Sequence, residues 1–287
     1  MKILAIDGNS ILNRAFYGIR ALSTKDGRFT NGIYGFLTIL MKLRDEAKPD
    51  GVAIAFDLKA PTFRHKMYDG YKANRHGMPP ELAQQLPVLK ELLVALGYKI
   101  ISLGGYEADD ILGTVAGMCA DGDECFIATG DRDSFQLIRD NVTVLLPHTK
   151  MGTTTTEVYT PERIKDEYGV TPIQMIDIKA LQGDASDCIP GVAGVGQKTA
   201  GDLIQKFGTI KNIYDNIDTL EIKDNLKNKL VNDKEKAFLS YTLGTIINNV
   251  PIDCELTDLI PQSADESKAR MMLADLEMFK IIEKLNF

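Results

Sequence analysis

Acidic side chains stand just past four short apolar runs of this chain, and their placement carries the first chemical argument. Asp7 follows Lys2–Ile6 and Asp57 follows Val52–Phe56. Glu107, Asp109 and Asp110 follow Lys99–Leu103 across Gly104-Gly105-Tyr106, while Asp131 and Asp133 follow Cys125–Thr129 across Gly130. Runs of this kind read as buried strands of a parallel sheet, and in open α/β sheets the site lies outside the carboxyl ends of the strands. These seven carboxylates are therefore expected to share one crevice, with Asp184 and Asp187 joining from the second half of the chain. An aspartate after a strand also caps the next helix, and Asp109 or Asp133 taken alone reads that way. Packed together, however, the carboxylates would repel one another by several kcal/mol unless cations neutralised them. Oxygen donors without Cys or His suit Mg²⁺ or Mn²⁺ rather than zinc. Two such ions about 4 Å apart are a recurrent arrangement for phosphodiester hydrolysis, one activating water and the other stabilising the leaving oxygen.

The elements that must position these groups follow from patterning. Apolar residues at helical spacing mark Gly32–Leu43 and Pro80–Leu96 between the strands, which gives a βαβ order, and Val142–Leu146 reads as an added edge strand. From about Thr160 the pattern changes to short helices, announced by Thr160-Pro161 and Thr171-Pro172, where threonine caps and proline takes the first turn. The expected division is residues 1–159 as an α/β core and 160–287 as a helical part. With 287 residues, 44% hydrophobic and 25% charged, the chain can build a large core. No apolar run is long enough to span a bilayer and the first strand is not a signal peptide, so a cytosolic protein without membrane association is expected. Four scattered cysteines and three histidines give no zinc or disulfide pattern. The net charge of −7 argues against a protein that coats nucleic acid by bulk electrostatics, and the distribution of basic residues matters more than the sum.

Two segments offer such contacts. Arg64 to Arg75 (Arg-His-Lys-Met-Tyr-Asp-Gly-Tyr-Lys-Ala-Asn-Arg) interleaves basic and aromatic residues, the two types that phosphate clamping and base stacking need. A solvated loop or helix face is the other reading of that insert. Ile189-Pro190-Gly191-Val192-Ala193-Gly194-Val195-Gly196-Gln197-Lys198-Thr199-Ala200 misses a phosphate-binding P-loop by one residue, because Gln197 separates the last glycine from the lysine. A glycine hairpin opening the helix Lys198–Phe207 would instead present backbone N–H groups to a DNA phosphate. The plain alternative is a helix–helix turn.

At these residues the chain strongly resembles the 5′-nuclease domain of bacterial DNA polymerases of the first type and, more distantly, the flap endonucleases. The matching stretches are Asp7-Gly8-Asn9-Ser10 with Arg14-Ala15, Tyr34-Gly35-Phe36, Phe56-Asp57 with Ala60-Pro61-Thr62-Phe63-Arg64, and Gly70-Tyr71-Lys72-Ala73 with Arg75. Tyr106-Glu107-Ala108-Asp109-Asp110, Thr129-Gly130-Asp131-Arg132-Asp133 and Gly183-Asp184-Ala185-Ser186-Asp187 complete the set. The resemblance implies a PIN-like parallel sheet flanked by helices, a helical arch at about 64–90, and a C-terminal helical part with a helix-hairpin-helix that grips duplex DNA, with a K⁺ ion there. It implies two or more Mg²⁺ or Mn²⁺ ions held by Asp7, Asp57, Glu107, Asp109, Asp110, Asp131, Asp133, Asp184 and Asp187. Tyr71, Lys72 and Arg75 fall where the family's arch engages the scissile phosphate and terminal bases, with Lys72 and Arg75 in the catalytic role, and Arg14 and Arg64 are expected phosphate contacts. Gly191, Val192, Gly194, Val195, Gly196, Lys198 and Thr199 are the expected duplex contacts of the hairpin. The expected partner is DNA with 5′ ends or flaps, including RNA primer strands, and the expected setting is a monomer in the bacterial nucleoid, joined to or working beside a polymerase. One departure is that the family carries asparagine after its Ser-Asp pair, where this chain has Cys188.

Two rival functions remain at this level. An aspartate-nucleophile phosphatase shares the acidic α/β crevice, but Asp7-Gly8-Asn9 lacks the Asp-x-Asp of that class and leaves the basic insert without a task. A DNA-binding module without catalysis would have no use for the full carboxylate set.

Overall fold

The computed structural model describes residues 1–150 and 153–285. Six strands, β1 (Lys2–Asp7), β2 (Gly51–Ala55), β3 (Lys99–Ile101), β4 (Glu124–Ala128), β5 (Val142–Lys150) and β6 (Thr153–Tyr159), form one sheet in the order β3-β2-β1-β4-β5-β6. The first five pair in parallel and β6 pairs antiparallel to β5. The expected parallel α/β sheet is present. The expected edge position of Val142–Leu146 is corrected, because β5 lies between β4 and β6 and the edges are β3 and β6. β6 escaped detection because Thr153-Thr154-Thr155-Thr156 carries strand propensity without alternating hydrophobicity.

Alternate residues of each strand feed two cores. Leu4, Ile6, Val52, Ile54 and Phe56 face helices α1 (Gly8–Gly18), α2 (Asn31–Ala47) and, beyond the short α3 (Phe63–Met67) and α4 (Pro80–Ala83), α5 (Gln85–Ala95). Ile3, Ala5, Ala53, Ala55, Cys125 and Ile127 face α6 (Ala108–Met118) on the other side. Gly8 is where β1 turns into α1, and a Cβ there would sit 2.4 Å from the ring of Phe56, so the turn that aims Asp7 requires glycine. The helix expected over Pro80–Leu96 is interrupted between α4 and α5 at Gln84. The segment expected as an arch is helical only in α3, α4 and the start of α5; residues 68–79 are turn and coil, as Asp69-Gly70, Gly77 and Pro79-Pro80 dictate.

The second half is helical: α7 (Pro161–Tyr168), α8 (Met175–Gln182), α9 (Gln197–Phe207), α10 (Ile210–Asp215), α11 (Asp224–Asn232) and α12 (Lys234–Gly244). α7 is capped by Thr160, whose side chain accepts from the Arg163 amide, and ends at Gly169 with φ +72°. Val170, Ile178, Leu181, Val192, Val195, Leu203 and Ile204 form a third core among these helices. The last two helices, α13 (Glu266–Asp275) and α14 (Phe279–Leu285), return to the first core, where Ala269, Leu273 and Ile281 are fully buried.

Candidate metal centre and its cationic surround

Asp7 ends β1 and caps α1, accepting from the Ser10 amide at 2.8 Å through Oδ1 while Oδ2 receives the Thr129 hydroxyl at 3.3 Å. Asp57 follows β2 and accepts from the Ala108 amide at 2.7 Å, which ties β2 to the start of α6. Asp131 follows β4 and accepts from the Asp133 amide at 2.9 Å, capping the short 3₁₀ turn. The capping reading of strand-end aspartates is thus correct for one oxygen of Asp7 and of Asp131. It does not account for Asp109, in the first turn of α6, whose buried Oδ1 has no hydrogen-bond partner among the described residues.

Charge is concentrated here. Burial pushes the Asp7 carboxyl up to about 7, with Asp57 and Asp131 adding to the shift. Burial also drives Asp109 well above the carboxylate range, with Asp7, Asp131, Asp133 and Asp57 as further causes, and lifts Asp133 to about 6 with help from Asp131. Asp7, Asp57, Asp109, Asp131 and Asp133 therefore form one mutually repelling set, and a buried unpartnered oxygen on one of them is what a hard cation would satisfy. A second grouping brings carboxylate oxygens of Asp133, Asp184 and Asp187 within 4.8 Å of one another. Because the folded pKa values of Asp7 and Asp133 lie above the unfolded ones, the metal-free fold binds extra protons between about pH 4 and 7 and loses stability as pH rises through that window. Melting temperature in chelator should fall from pH 5 to pH 8 and be restored by Mg²⁺ chiefly at the upper end; a flat profile would remove the repulsive set.

The structure divides the remaining expected ligands. Asp110 is fully buried and takes a bidentate pair from Arg64 at 2.7 and 2.8 Å, with the Glu107 amide at 3.0 Å and the Ile247 amide at 2.9 Å completing its oxygens. Its acceptor positions are taken in this structure, where it anchors Arg64. Arg64 is 2% exposed and also donates to the carbonyls of Leu243 and Thr245 at 2.8 and 2.7 Å, so the expected phosphate contact of this side chain is not open in this structure. Tyr71, the expected base contact, is buried against Ile189 and Leu243 in this structure, with its hydroxyl donating to Glu107 at 3.0 Å. Glu107 receives Lys72 Nζ at 2.8 Å and Arg64 at 3.3 Å, so the insert is pinned to the mouth of the crevice through this carboxylate. Arg75, with half its side chain exposed, donates to Asp187. Arg14 donates to the Gly130 carbonyl at 3.2 Å and contacts His148 Nδ1 at 3.1 Å, beside the turn that carries Asp131.

Asp184 and Asp187 come from a tight loop closed by paired backbone hydrogen bonds between Asp184 and Ile189, at 2.9 and 2.8 Å. Cys188 occupies the left-handed region there, at φ +57°, which asparagine adopts at lower cost. That conformation favours the asparagine expected from the resemblance, and nothing in the structure explains the cysteine. Cys188→Asn is expected to stabilise the fold by about 1 kcal/mol, or about 2 °C in melting temperature, and a lower melting temperature for both Cys188→Asn and Cys188→Gly would discount it.

Sequence reasoning missed Lys179. On α8 it is 6% exposed and bonds to both Asp133 and Asp184, the latter at 2.7 Å. Burial pushes Asp184 up, yet the bonds from Lys179 and Ser186 prevail and hold it at about 2. A lysine flanked by the buried Ile176, Ile178, Ala180 and Leu181 was the available signal.

The glycine hairpin has an inner and an outer side. Val192 and Val195 are buried, their amides donate to Leu181 and Val192 carbonyls at 2.7 and 3.0 Å, and the Gly191 amide donates to Ser240 Oγ at 2.9 Å. In this structure these residues build the scaffold of the hairpin. Gly194, Gly196 and Lys198 are exposed and Thr199 half-buried at the opening of α9, whose first-turn amides have no acceptor within the helix. Lys198→Ala is therefore expected to weaken DNA affinity and lower the salt slope of binding by about one phosphate contact, leaving the saturated cleavage rate unchanged. Salt-titrated binding checks it, and an unaltered slope would take Lys198 out of the interface.

A parallel sheet with carboxylates gathered at its strand ends, backed by a helical half with an exposed glycine hairpin, is the build of a metal-dependent nuclease. The model of the 5′-3′ exonuclease N-terminal resolvase-like domain matches residues 2–169, and that of the 5′-3′ exonuclease C-terminal SAM fold matches residues 170–267. The chain belongs to the 5′-3′ exonuclease family. It is 41% identical to DNA polymerase I of Caldicellulosiruptor bescii over 286 residues, 99% of this chain and 33% of that protein. To DNA polymerase I of Bacillus caldotenax it is 42% identical over 286 residues, 99% of this chain and 32% of the relative. The chain thus spans about a third of the length of the curated relatives it matches. Among solved structures, T5 D15 protein co-crystallised with metal ions is similar with a TM-score of 0.70 at 20% identity, covering 96% of this chain and 99% of that one. The catalytic core of Rad2 in complex with DNA substrate gives 0.61 at 21% identity, covering 96% and 86%. These likenesses bear on the fold.

Proposed function

We propose that this chain hydrolyses DNA phosphodiesters at 5′ ends and flaps by a two-metal mechanism, with Mg²⁺ or Mn²⁺ as the ions. The observation that carries the reading is the convergence of Asp7, Asp57, Asp109 and Asp131 at strand ends, with a buried Asp109 oxygen lacking any partner. Bound ions would activate water and stabilise the leaving oxygen. Asp7, Asp57, Asp109 and Asp131 would hold one side of the centre and Asp133, Asp184 and Asp187 the other. Lys72 and Arg75, poised on Glu107 and Asp187, would draw the scissile phosphate over the crevice and neutralise charge developing on it. The outer hairpin residues Gly194, Gly196, Lys198 and Thr199 would hold the duplex without reading bases.

In this reading residues 1–159 carry most of the metal centre, while 160–287 supply Asp184, Asp187 and the duplex grip, with α13 and α14 packed back on the first core. A K⁺ ion at the hairpin, RNA primer strands as substrates, action as a monomer and work beside or within a polymerase in the bacterial nucleoid belong to the same reading and rest on the family resemblance. No helix among the described residues is long and apolar enough to cross a membrane. Cleavage of an end-labelled 5′ flap, with and without chelator and alongside a small phosphomonoester, tests the proposal. Flap cleavage that stops in chelator is expected; full activity in excess chelator, or hydrolysis of the monoester alone, would refute it.

A further inference from the structure

Lys179 stands where a cation is already useful. Its ammonium bonds to Asp133 and, at 2.7 Å, to Asp184, and these two carboxylates with Asp187 place oxygens within 4.8 Å of one another. An ammonium and a divalent ion cannot share that space without strong repulsion. A cavity of about 210 Å³ opens from this spot, with Asp133, Asp184 and Lys179 on its wall at one end and Arg132, Gln136 and Gln182 also lining it. Gln182 Oε1 is buried and has no hydrogen-bond partner among the described residues, and an unsatisfied acceptor of that kind favours any donor that can reach it. Lysine carries three donors on a flexible four-carbon stem, so its head can relocate while its backbone stays in α8.

We propose that Lys179 is a two-position ammonium, filling the Asp133–Asp184 side of the centre at rest and withdrawing into the adjoining cavity, toward Gln182, when a metal ion enters. At rest it balances carboxylates that would otherwise repel one another. Its withdrawal makes entry at this side weaker than entry at the Asp7–Asp109 side, so the two ions load in order. The Gln182 carbonyl receives the withdrawn head and recovers part of the lost bonding. The inference rests on reading these carboxylates as the metal centre.

Mn²⁺ alone, titrated into the full chain by calorimetry and followed by electron paramagnetic resonance, tests it without any turnover. Wild type should show a tighter and a weaker binding event. Lys179→Met should tighten the weaker event about tenfold, Gln182→Leu should loosen it about threefold, and the double variant should match Lys179→Met, because Gln182 matters only when a lysine withdraws to it. An unchanged weaker event in Lys179→Met, or equal loosening by Gln182→Leu with and without Lys179, would overturn the proposal. Should Lys179→Met fail to fold, Gln182→Leu decides alone, and unchanged affinity overturns it. Wild type that binds no Mn²⁺ sinks the metal-centre reading and this inference together, whereas normal Mn²⁺ binding with unresponsive variants sinks this inference only.

Discussion

Asp131→Asn should lower single-turnover flap cleavage about 10³-fold while DNA affinity in Ca²⁺ stays within a few-fold. Asp131 adds to the raised pKa of Asp7, Asp109 and Asp133, which places its charge at the junction of the two carboxylate groupings. Asparagine keeps the oxygen that accepts from the Asp133 amide, so the 3₁₀ turn is retained and only the negative charge is lost. Removing one of several repelling charges should leave the metal-free melting temperature unchanged or higher, opposite to the usual effect of a core polar substitution. The three measurements together separate a ligand from a structural residue. Cleavage at the wild-type rate would take Asp131 out of the centre, and a marked drop in melting temperature would assign it to the fold instead.

Lys72→Ala should reduce the saturated cleavage rate about 100-fold with only a modest loss of affinity, the pattern of an interaction made chiefly in the transition state. Its ammonium lies 2.8 Å from Glu107 and 3.9 Å from Asp187, so it sits at the crevice mouth between the insert and the Asp184–Ile189 loop. The backbone adds to the placement: φ is +55° and the Lys72 amide donates to the Asp187 carbonyl at 2.9 Å. Alanine meets the same conformational cost there, and Glu107 retains Tyr71 and Arg64 as partners, so the variant should fold. Full single-turnover rate at saturating enzyme would sink the assignment. Contrast with Lys198→Ala, which should act on affinity and salt slope, sharpens the test.

What the sequence made legible is set by range. Strand-end aspartates announce themselves because the strand, the turn and the acid are adjacent in the chain, which made seven such carboxylates visible but did not separate the five around Asp7 from Glu107 and Asp110. Asp109 and Asp110 show where such reading stops: consecutive helical positions differ by about 100° in direction, and Asp110 points inward to a guanidinium 46 positions earlier. The fate of Arg64 and Tyr71 depends on Glu107 and the Leu243–Thr245 segment, contacts that no local pattern encodes. A composition rich in basic and aromatic residues signalled the insert, yet it could not say which members face DNA and which hold the insert in place. Likewise the hairpin glycines were recognisable, while the division between buried valines and an exposed rim appears only when the third core is assembled.

The return of α13 and α14 to the first core makes the placement of Asp7 and Asp57 depend on residues more than two hundred positions further along the chain. Ala269, Leu273 and Ile281 fill space beside Leu89, Leu92 and Leu93, beneath the sheet that aims Asp7 and Asp57, and they lie at or beyond residue 267, where the matched family region ends. A nascent chain that has produced every carboxylate still lacks this wall of its core. Domains fold as units during synthesis, and a core short of several large apolar side chains is destabilised by several kcal/mol. A truncation that removes residues 266–285 is therefore expected to destabilise the fold by several kcal/mol although it leaves every carboxylate in the chain.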